Sequence, residues 1–447
     1  MYRATLIIIA ASAILLIGCG DDKGPKAGTE ENIDHAAEYF VYLALSMNKH
    51  DKDYVDSYFG PDSLRERAAM DNVSLKQIAD GADSLIYYLD DFTFQEQILS
   101  ERKKHLKGLL ESLVARANML LGEKYDFDQE SLYIYGVVSP DFPESHFQNI
   151  IDSLDKMLPG GDSLHKRIAD FRKQFIIPDD KVDAVFKRAI EESRKRTKEF
   201  IDLPENEDFT LEYVNDVPWG AYNWYQGGSK SLIQINMDFP IYIDRAIDLA
   251  AHEGYPGHHV FHTIKEKEFA EKNGWFEYTI YPLFSPVSLI SEGTANFGIK
   301  VIFPGEEKMK FEMQHLFPIA GLDSSLAPKY SELMKMMARL SYARTKAAKK
   351  YYNGDMTREE AIDYMMKYQL VTKQRASKFL DFVDRYGSYI INYNYGEDLV
   401  EDYINRHGGT ADNPQQRKEI FKELLYNQVL PGDLKEKDKE DSEIVRK

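Results

Sequence analysis

The chain has 447 residues, of which 43% are hydrophobic and 13% are aromatic. This composition supplies a sizeable core, and it excludes both wholesale disorder and a small disulfide-stapled scaffold. The 56 Lys and Arg residues against 74 Asp and Glu residues give a net charge of −18. Unaided binding to nucleic acid needs clustered basic side chains, so we expect no nucleic-acid partner. No feature of the sequence indicates an obligate protein partner either.

The amino terminus has the pattern of a secretory signal. A short basic start is followed by an apolar run that ends in Leu16-Ile17-Gly18-Cys19 and is too short to span a membrane. This ending resembles a bacterial lipobox, whose cysteine becomes the acylated first residue of the mature protein. We predict a signal peptide over residues 1–18 and a lipid anchor at Cys19 that holds the protein in the cell envelope, outside the cytoplasm. An ordinary signal peptide with an incidental cysteine is the alternative.

The single cysteine excludes an intramolecular disulfide and a cysteine-based zinc cluster. We predict a flexible polar tether over residues 19–32, followed by an amino-terminal helical region over residues 33–204. Within that region, apolar residues at helical spacing predict a helix over residues 106–121. Helix starts are predicted by two capping boxes, Ser63-Leu-Arg-Glu66 and Ser74-Leu-Lys-Gln77.

The remaining part of the chain, residues 205–447, is predicted to be the metal-binding catalytic region. Two short strands are predicted near its start, with Gln226-Gly-Gly-Ser229 as a turn between irregular segments. A capping box at Thr357 predicts a helix to about residue 370, and the next helix should end at Gly387. The predicted ranges are residues 210–214 and 232–237 for the strands, and about 242–253, 357–370 and 372–386 for the helices. The predicted fold class is therefore mainly α with a small β-sheet.

The chemistry is concentrated in the run from Ala250 to His259, Ala-Ala-His-Glu-Gly-Tyr-Pro-Gly-His-His. A His-Glu pair followed by a further His is the pattern of a zinc hydrolase. In such a site two neutral imidazoles hold the ion, and the neighbouring carboxylate is the general base toward water. The pattern indicates His252 and His258 as ligands and Glu253 as the base.

The spacing of these two histidines is wider than usual. On a straight helix, His252 and His258 would lie about 240° apart and roughly 9 Å along the axis, so they could not share one ion. Pro256 cannot donate to the carbonyl of His252, and Gly257 permits backbone angles that other residues avoid. A metal site therefore requires that the helix is interrupted between Glu253 and His258.

Two other interpretations of the histidines are open. His258 and His262 stand four residues apart, so an unbroken helix after Gly257 would place them on one face. That pairing leaves Glu253 without an obvious role. The histidines could also be surface residues beside a Pro-Gly turn, although four of the chain's 11 histidines lie within residues 252–262.

A zinc hydrolase needs a third protein ligand and an open position for water. The best candidate is Glu292 in the run Ser291-Glu292-Gly293. Glycine inside a helix is destabilising by about 1 kcal/mol relative to alanine. Gly293 and Gly298 therefore indicate close packing of this predicted helix against another backbone.

The two motifs together resemble the bacterial family known as domain of unknown function 885, whose members are similar to zinc metallopeptidases. The resemblance covers roughly residues 205–430. It implies a zincin-like, mainly helical body with a small sheet beside the metal-binding helix, and one Zn²⁺ ion. It also implies His252, His258 and Glu292 as metal ligands and Glu253 as the general base.

The sequence departs from the family pattern at two places. Thr294 stands where many relatives carry Trp, and residues 349–355 lack a histidine that precedes the Thr357 helix in the family. The oxyanion that peptide hydrolysis develops is often stabilised by a nearby donor. The candidates for that role are Tyr393, Arg385 and His259, and we also expect His259 and Tyr255 to contact the substrate.

The sequence as a whole predicts a membrane-anchored, extracytoplasmic zinc metallopeptidase that acts on a peptide or small amide substrate. One alternative is a metal-dependent amidase or esterase acting on cell-wall fragments or other small substrates. A second alternative is a non-catalytic binding lipoprotein on the same scaffold. No Walker spacing and no Gly-x-Ser-x-Gly elbow is present, which argues against phosphate binding and a serine hydrolase.

Overall fold

The structure, a computed structural model, describes residues 25–217 and 219–435. The predicted signal peptide, Cys19 and the first part of the predicted tether lie outside the described residues. None of the helices within these ranges combines the length and the apolar character that crossing a membrane requires.

Helices dominate the described chain, which confirms the predicted mainly α fold class. Those before the central sheet are α1 (Glu30–Met47), α2 (Asp62–Met70), α3 (Leu75–Asp90), α4 (Gln97–Leu121), α5 (Phe127–Tyr135), α6 (Glu144–Met157), α7 (Leu164–Arg172) and α8 (Val182–Thr197). Those after it are α9 (Ile243–Leu249), α10 (His258–Lys265), α11 (Pro286–Ile302), α12 (Glu307–Phe311), α13 (Phe317–Ala320), α14 (Ala327–Ala338), α15 (Ser341–Tyr352), α16 (Arg358–Tyr368), α17 (Lys373–Tyr386), α18 (Ile391–Arg406), α19 (Pro414–Tyr426) and α20 (Pro431–Leu434).

The strands are β1 (Lys26–Ala27), β2 (Val55–Tyr58), β3 (Phe92–Thr93), β4 (Asp208–Val214), β5 (Ala221–Gly227), β6 (Lys230–Asn236) and β7 (Ile280–Pro282). The largest sheet has the order β4-β6-β5, in which β6 runs parallel to β4 and antiparallel to β5. In its register Asp208 lies opposite Lys230, and Val214 lies opposite Asn236. Two small ladders join distant parts of the chain, β1 with β3 in parallel and β2 with β7 antiparallel.

The first ladder corrects the predicted tether. The backbone N–H of Lys26 donates to the carbonyl of Asp91, and that of Gly28 donates to the carbonyl of Thr93. Helix α1 then begins at Glu30. Because strand pairing and a helix start fix this backbone, the flexible tether does not extend over residues 26–32.

Local signals predicted several element boundaries and missed others. The side chains of Ser74 and Thr357 cap their helices as predicted, and the helix over residues 373–386 ends at Gly387. The predicted capping box at Ser63 is wrong, because the N-cap of α2 is Pro61 and the helix begins at Asp62, two residues before the predicted start. Strand β5 occupies a segment that was predicted to be irregular.

The amino-terminal and metal-binding regions share one hydrophobic core. Buried side chains of α1 and α4, such as Phe40 and Leu110, belong to the same cluster as Phe261 of α10. Arg102 of α4 is fully buried and donates to both carboxylate oxygens of Glu277 at 2.7 and 3.0 Å. A smaller cluster joins α6 and α7 to α14, α15, α16 and α17. Because the two regions share the larger core, strand β2 of the amino-terminal region lies beside the candidate site.

Candidate metal centre and its cavity

The helix that carries His252 is interrupted where the metal hypothesis requires it. Helix α9 continues into one wider π-helical turn, Ala250–Gly254, and the chain turns extended at Tyr255, with φ −121° and ψ 114°. Helix α10 begins at His258. The predicted break between Glu253 and His258 is therefore present.

Gly257 makes this break possible. A Cβ atom on Gly257 would lie 1.8 Å from the carbonyl oxygen of His252. No side chain fits at that distance, so only glycine allows the backbone to fold back so closely. The fold-back brings the imidazole rings of His252 and His258 to a centroid separation of 4.7 Å.

Helix α11 supplies the third side chain. Glu292 Oε2 lies 3.3 Å from His252 Nε2 and 3.6 Å from His258 Nε2. A Cβ on Gly293 would lie 2.4 Å from the carbonyl oxygen of Gly396 in α18, which confirms that α11 packs closely against another backbone. Among the described residues, these three side chains form the one group placed to hold a metal ion, with ligand atoms within 4.8 Å of one another.

The second ring nitrogen of each histidine has a partner. His252 Nδ1 lies 3.0 Å from Asn296 Oδ1, and His258 Nδ1 lies 3.0 Å from Ser291 Oγ. Hydrogen bonds of this kind fix the orientation of a metal-binding imidazole and leave its other nitrogen free for the ion. Both Nε2 atoms therefore point to the side of Glu292.

Glu292 is held in the same way. Its Oε1 accepts a 2.8 Å hydrogen bond from the Tyr389 hydroxyl, while its Oε2 is buried without a hydrogen-bond partner among the described residues. A buried polar atom without a partner is destabilising unless something binds it. Two imidazole nitrogens and one carboxylate oxygen match the ligand preferences of Zn²⁺ with a position left open, so the residues present fit this ion.

The three side chains are strongly coupled electrostatically. Burial lowers the pKa of His252, but its close contact with the Glu292 carboxylate and the charges of Glu253 and Glu292 outweigh burial and raise that pKa to about 9. Burial raises the pKa of Glu292, but His258 and His252 outweigh it and hold that pKa well below its usual range. The negative charge of Glu292 thus favours a cation at the position between the two imidazole rings and this carboxylate.

The cluster lies in the wall of a cavity of about 220 Å³. Glu253 is buried and lines the same cavity, and its backbone carbonyl accepts a 2.6 Å hydrogen bond from Asn223 Nδ2. Tyr393 lines the cavity as predicted, and burial together with the charges of Glu292 and Glu253 raises the pKa of its phenol well above the usual value. The other aromatic residues of the wall are Trp219, Tyr222, Trp224, Tyr281, Phe382, Tyr386 and Tyr389.

The alternative pairing of His258 with His262 does not match the structure. The His262 ring is buried, with its centroid 6.4 Å from that of His258, and it lies between the rings of Tyr225 and Tyr281. Burial and the charges of His258 and His259 lower the pKa of His262 to about 3. His262 belongs to the cavity wall but not to the ligand group.

The predicted substrate contacts of His259 and Tyr255 are wrong for this cavity, because neither side chain lines it. His259 lies between Ser231 Oγ, at 2.9 Å from Nδ1, and Glu207 Oε2, at 3.2 Å from Nε2. The Tyr255 hydroxyl donates to the same carboxylate oxygen at 2.5 Å, and Arg194 donates to the other one. Glu207 therefore anchors both sides of the helix break from outside the cavity.

Arg385 also lies elsewhere than predicted. Its half-exposed guanidinium donates to both oxygens of Asp53 at 2.7 and 2.6 Å, and Arg385 does not line the cavity. An arginine paired in this bidentate way is not available to an oxyanion. The oxyanion role proposed for Arg385 is thus corrected, while that for Tyr393 stays a prediction.

The comparisons with known proteins give distant similarities. No family model matches the sequence, and no curated protein matches it. Among solved structures, the chain is similar to a protein from Colwellia psychrerythraea proposed to be a lipoprotein, with 15% sequence identity over 92% of this chain and 76% of that chain, at a TM-score of 0.49. It is also similar to a protein of unknown function from Shewanella oneidensis, also proposed to be a lipoprotein, with 13% identity over 84% of this chain and 78% of that chain, at a TM-score of 0.44.

Proposed function

We propose that this protein is a zinc-dependent peptidase that hydrolyses peptide bonds in the cavity beside α10 and α11. The observation that carries the proposal is the convergence of three ligand atoms, from His252, His258 and Glu292, within 4.8 Å of one another. Glu253 lines the same cavity beside them. This is the donor set and the general base that hydrolysis by activated water needs.

The roles of the chain's own residues follow from their positions. A zinc ion held by the three ligands would supply Lewis-acid polarisation of the scissile carbonyl and would acidify water. Glu253 accepts a proton from the attacking water and returns it to the leaving amine. The phenol of Tyr393, kept protonated by its raised pKa, donates a hydrogen bond to the developing oxyanion.

The position of β5 supports a peptide as the substrate. Strand β5 is an edge strand of the sheet β4-β6-β5, and the consecutive residues Ala221, Tyr222, Asn223 and Trp224 all line the cavity. Successive side chains of a strand point to opposite faces, so a consecutive run of lining residues means that β5 presents its backbone edge to the cavity. An extended peptide can add to such an edge through main-chain hydrogen bonds.

The proposal is tested by metal analysis of the purified protein together with turnover of a mixed peptide library. Glu253→Gln should keep zinc and lose hydrolysis. The matched control is Glu312→Gln, a buried glutamate outside this cavity, which should keep both. Equal turnover by wild type and Glu253→Gln would contradict the mechanism. Hydrolysis of cell-wall amides or esters but of no peptide would favour the amidase or esterase alternative.

We also propose that the protein acts at a membrane surface outside the cytoplasm. The support is the apolar amino-terminal run that ends in the lipobox-like Leu16-Ile17-Gly18-Cys19. The wild-type protein should incorporate a labelled fatty acid, and Cys19→Ala should not. Equal labelling of the variant and the wild type would contradict lipid anchoring at this residue.

A further inference from the structure

Asp56 stands at an irregularity in the ladder between β2 and β7. In this ladder Val55 lies opposite Pro282 and Ser57 lies opposite Tyr281, so Asp56 has no partner residue on β7. An extra residue of this kind is a β-bulge, and bulges beside active sites redirect a side chain. Asp56 lines the same cavity as the metal cluster.

The Asp56 carboxylate has no charge partner within the described residues. It is partly buried in the cavity wall near the carboxylates of Glu292 and Glu253, and it has no hydrogen bond or ion pair among the described residues. Asp53, on the same segment, is instead paired with Arg385. A partly buried carboxylate without a partner is destabilising in its charged form until a cation approaches it.

The cavity that Asp56 lines suits an organic cation. Trp219, Tyr222 and Tyr386 also line the cavity, and aromatic faces attract ammonium groups. Lys52 is a further lining residue, but it forms no ion pair with Asp56 in the part of the chain that the structure describes. The cavity therefore offers a carboxylate and aromatic faces to a positively charged group of a bound molecule.

We infer that Asp56 determines specificity by binding an ammonium group of the substrate. The inference rests on the proposed peptidase function and names a substrate class for it, peptides that carry a positive charge near the scissile bond. Both a free amino terminus and a lysine side chain offer this chemistry. The Asp56 carboxylate accepts hydrogen bonds from the ammonium group, and these charge-assisted bonds are stronger than neutral ones.

The test measures binding rather than turnover. Glu253→Gln loaded with zinc is titrated by calorimetry with a lysine-containing alanine pentapeptide and with its norleucine counterpart, each with a free and with an acetylated amino terminus. Peptides with the recognised ammonium group should bind about tenfold more tightly than their neutral counterparts. Adding Asp56→Asn should abolish this difference, whereas the matched control Asp53→Asn should preserve it. Zinc content is measured for each variant.

Each outcome bears on the inference. If acetylation abolishes the tighter binding, the recognised ammonium group is the amino terminus. If norleucine in place of lysine abolishes it, the recognised group is the lysine side chain. The same preference in Asp56→Asn as in its parent, equal binding of all four peptides, or binding of none would overturn the inference. Failure of the peptidase proposal gives a different result. In that case the wild-type protein does not hydrolyse these peptides, but the binding preference that depends on Asp56 persists.

Discussion

The Tyr389 hydroxyl donates a 2.8 Å hydrogen bond to Glu292 Oε1 and so leaves Oε2 as the oxygen that faces the two histidines. This one bond selects which carboxylate oxygen is available to a metal ion. Tyr389 is itself buried, so the orientation of Glu292 is fixed by packing as well as by the hydrogen bond. Partners of this kind tune metal affinity without touching the ion.

Tyr389→Phe should therefore weaken zinc binding while the fold is retained. The loss of an outer hydrogen bond to a ligand typically lowers metal affinity about 10- to 100-fold. Competition with a chromophoric chelator measures the change. Tyr364→Phe is the matched control, because Tyr364 is also buried but its hydroxyl has no partner among the described residues. Equal zinc affinity of Tyr389→Phe and wild type would show that Tyr389 does not orient Glu292.

Gly257→Ala should disrupt the metal centre. Its Cβ would lie 1.8 Å from the carbonyl oxygen of His252, so the turn must open and move His258 away from Glu292. We expect loss of bound zinc, measured by elemental analysis, and a lower unfolding temperature. Gly161→Ala, where an added Cβ has no atom within 4 Å, should change neither quantity. Full zinc occupancy in Gly257→Ala would contradict the claim that the close approach of Gly257 to His252 is required to form the site.

The sequence was informative where the deciding interactions are local. Pro256 and Gly257 predict the interrupted helix, and Gly293 predicts the close packing of α11, because both effects depend on backbone sterics at one position. The caps at Ser74 and Thr357 are likewise decided within one helical turn. Asn296, which the sequence analysis missed, follows Glu292 by one helical turn, and this spacing is the signal that could have found it.

The residues that sequence reasoning missed reach the site through long-range packing. Asp56 enters the cavity because β2 pairs with β7, more than 200 residues later in the chain. Glu207 lies far from the motif in sequence, and nothing local links it to His259 or Tyr255. Sequence reasoning therefore assigns Tyr255 and His259 to substrate binding. In the structure, both side chains contact Glu207 outside the cavity.

Glu207→Gln should destabilise the protein at neutral pH. Burial raises the pKa of Glu207, but the hydrogen bonds from His259, Tyr255 and Arg194 outweigh it and lower the pKa below 4.5. Because the folded pKa is lowered, the unfolded chain binds more protons as the pH falls, and the stabilisation is lost below pH 4.5. We expect a loss of about 2 kcal/mol in the free energy of unfolding at pH 7.

Urea unfolding at several pH values measures this effect. The difference between wild type and Glu207→Gln should shrink as the pH is lowered below 4.5, the ordinary value for this carboxyl. Glu271→Gln is the control and should have little effect, since Glu271 is half-exposed and, among the described residues, pairs only with Lys267 one turn away. A difference between wild type and Glu207→Gln that is independent of pH would contradict the role of the charge.

Lys265→Met should stabilise the protein below neutral pH. Burial lowers the pKa of Lys265 from 10.5 to about 7, although its Nζ donates to the carbonyl of Asn427 at 2.7 Å. Between pH 7 and pH 10.5 the unfolded chain binds more protons than the folded protein does. The wild-type protein therefore gains stability as the pH rises from 7 to 10.5. The gain in free energy of unfolding from the substitution should be on the order of 2 kcal/mol at pH 6.

The same unfolding measurements test this prediction. The advantage of Lys265→Met over wild type should decrease steadily as the pH is raised from 7 to 10.5. Lys272→Met, at an exposed position two turns further along the chain, should show no such trend. A constant advantage across this range would mean that Lys265 is not held in a lowered-pKa environment.

Anomalous diffraction at the zinc edge from crystals of the zinc-loaded protein tests the central claim most directly. The account predicts one strong peak bonded to His252 Nε2, His258 Nε2 and Glu292 Oε2 at about 2.0–2.2 Å, with Glu253 beside it. A peak bonded to His262 in place of His252, or no peak between these three side chains, would contradict it.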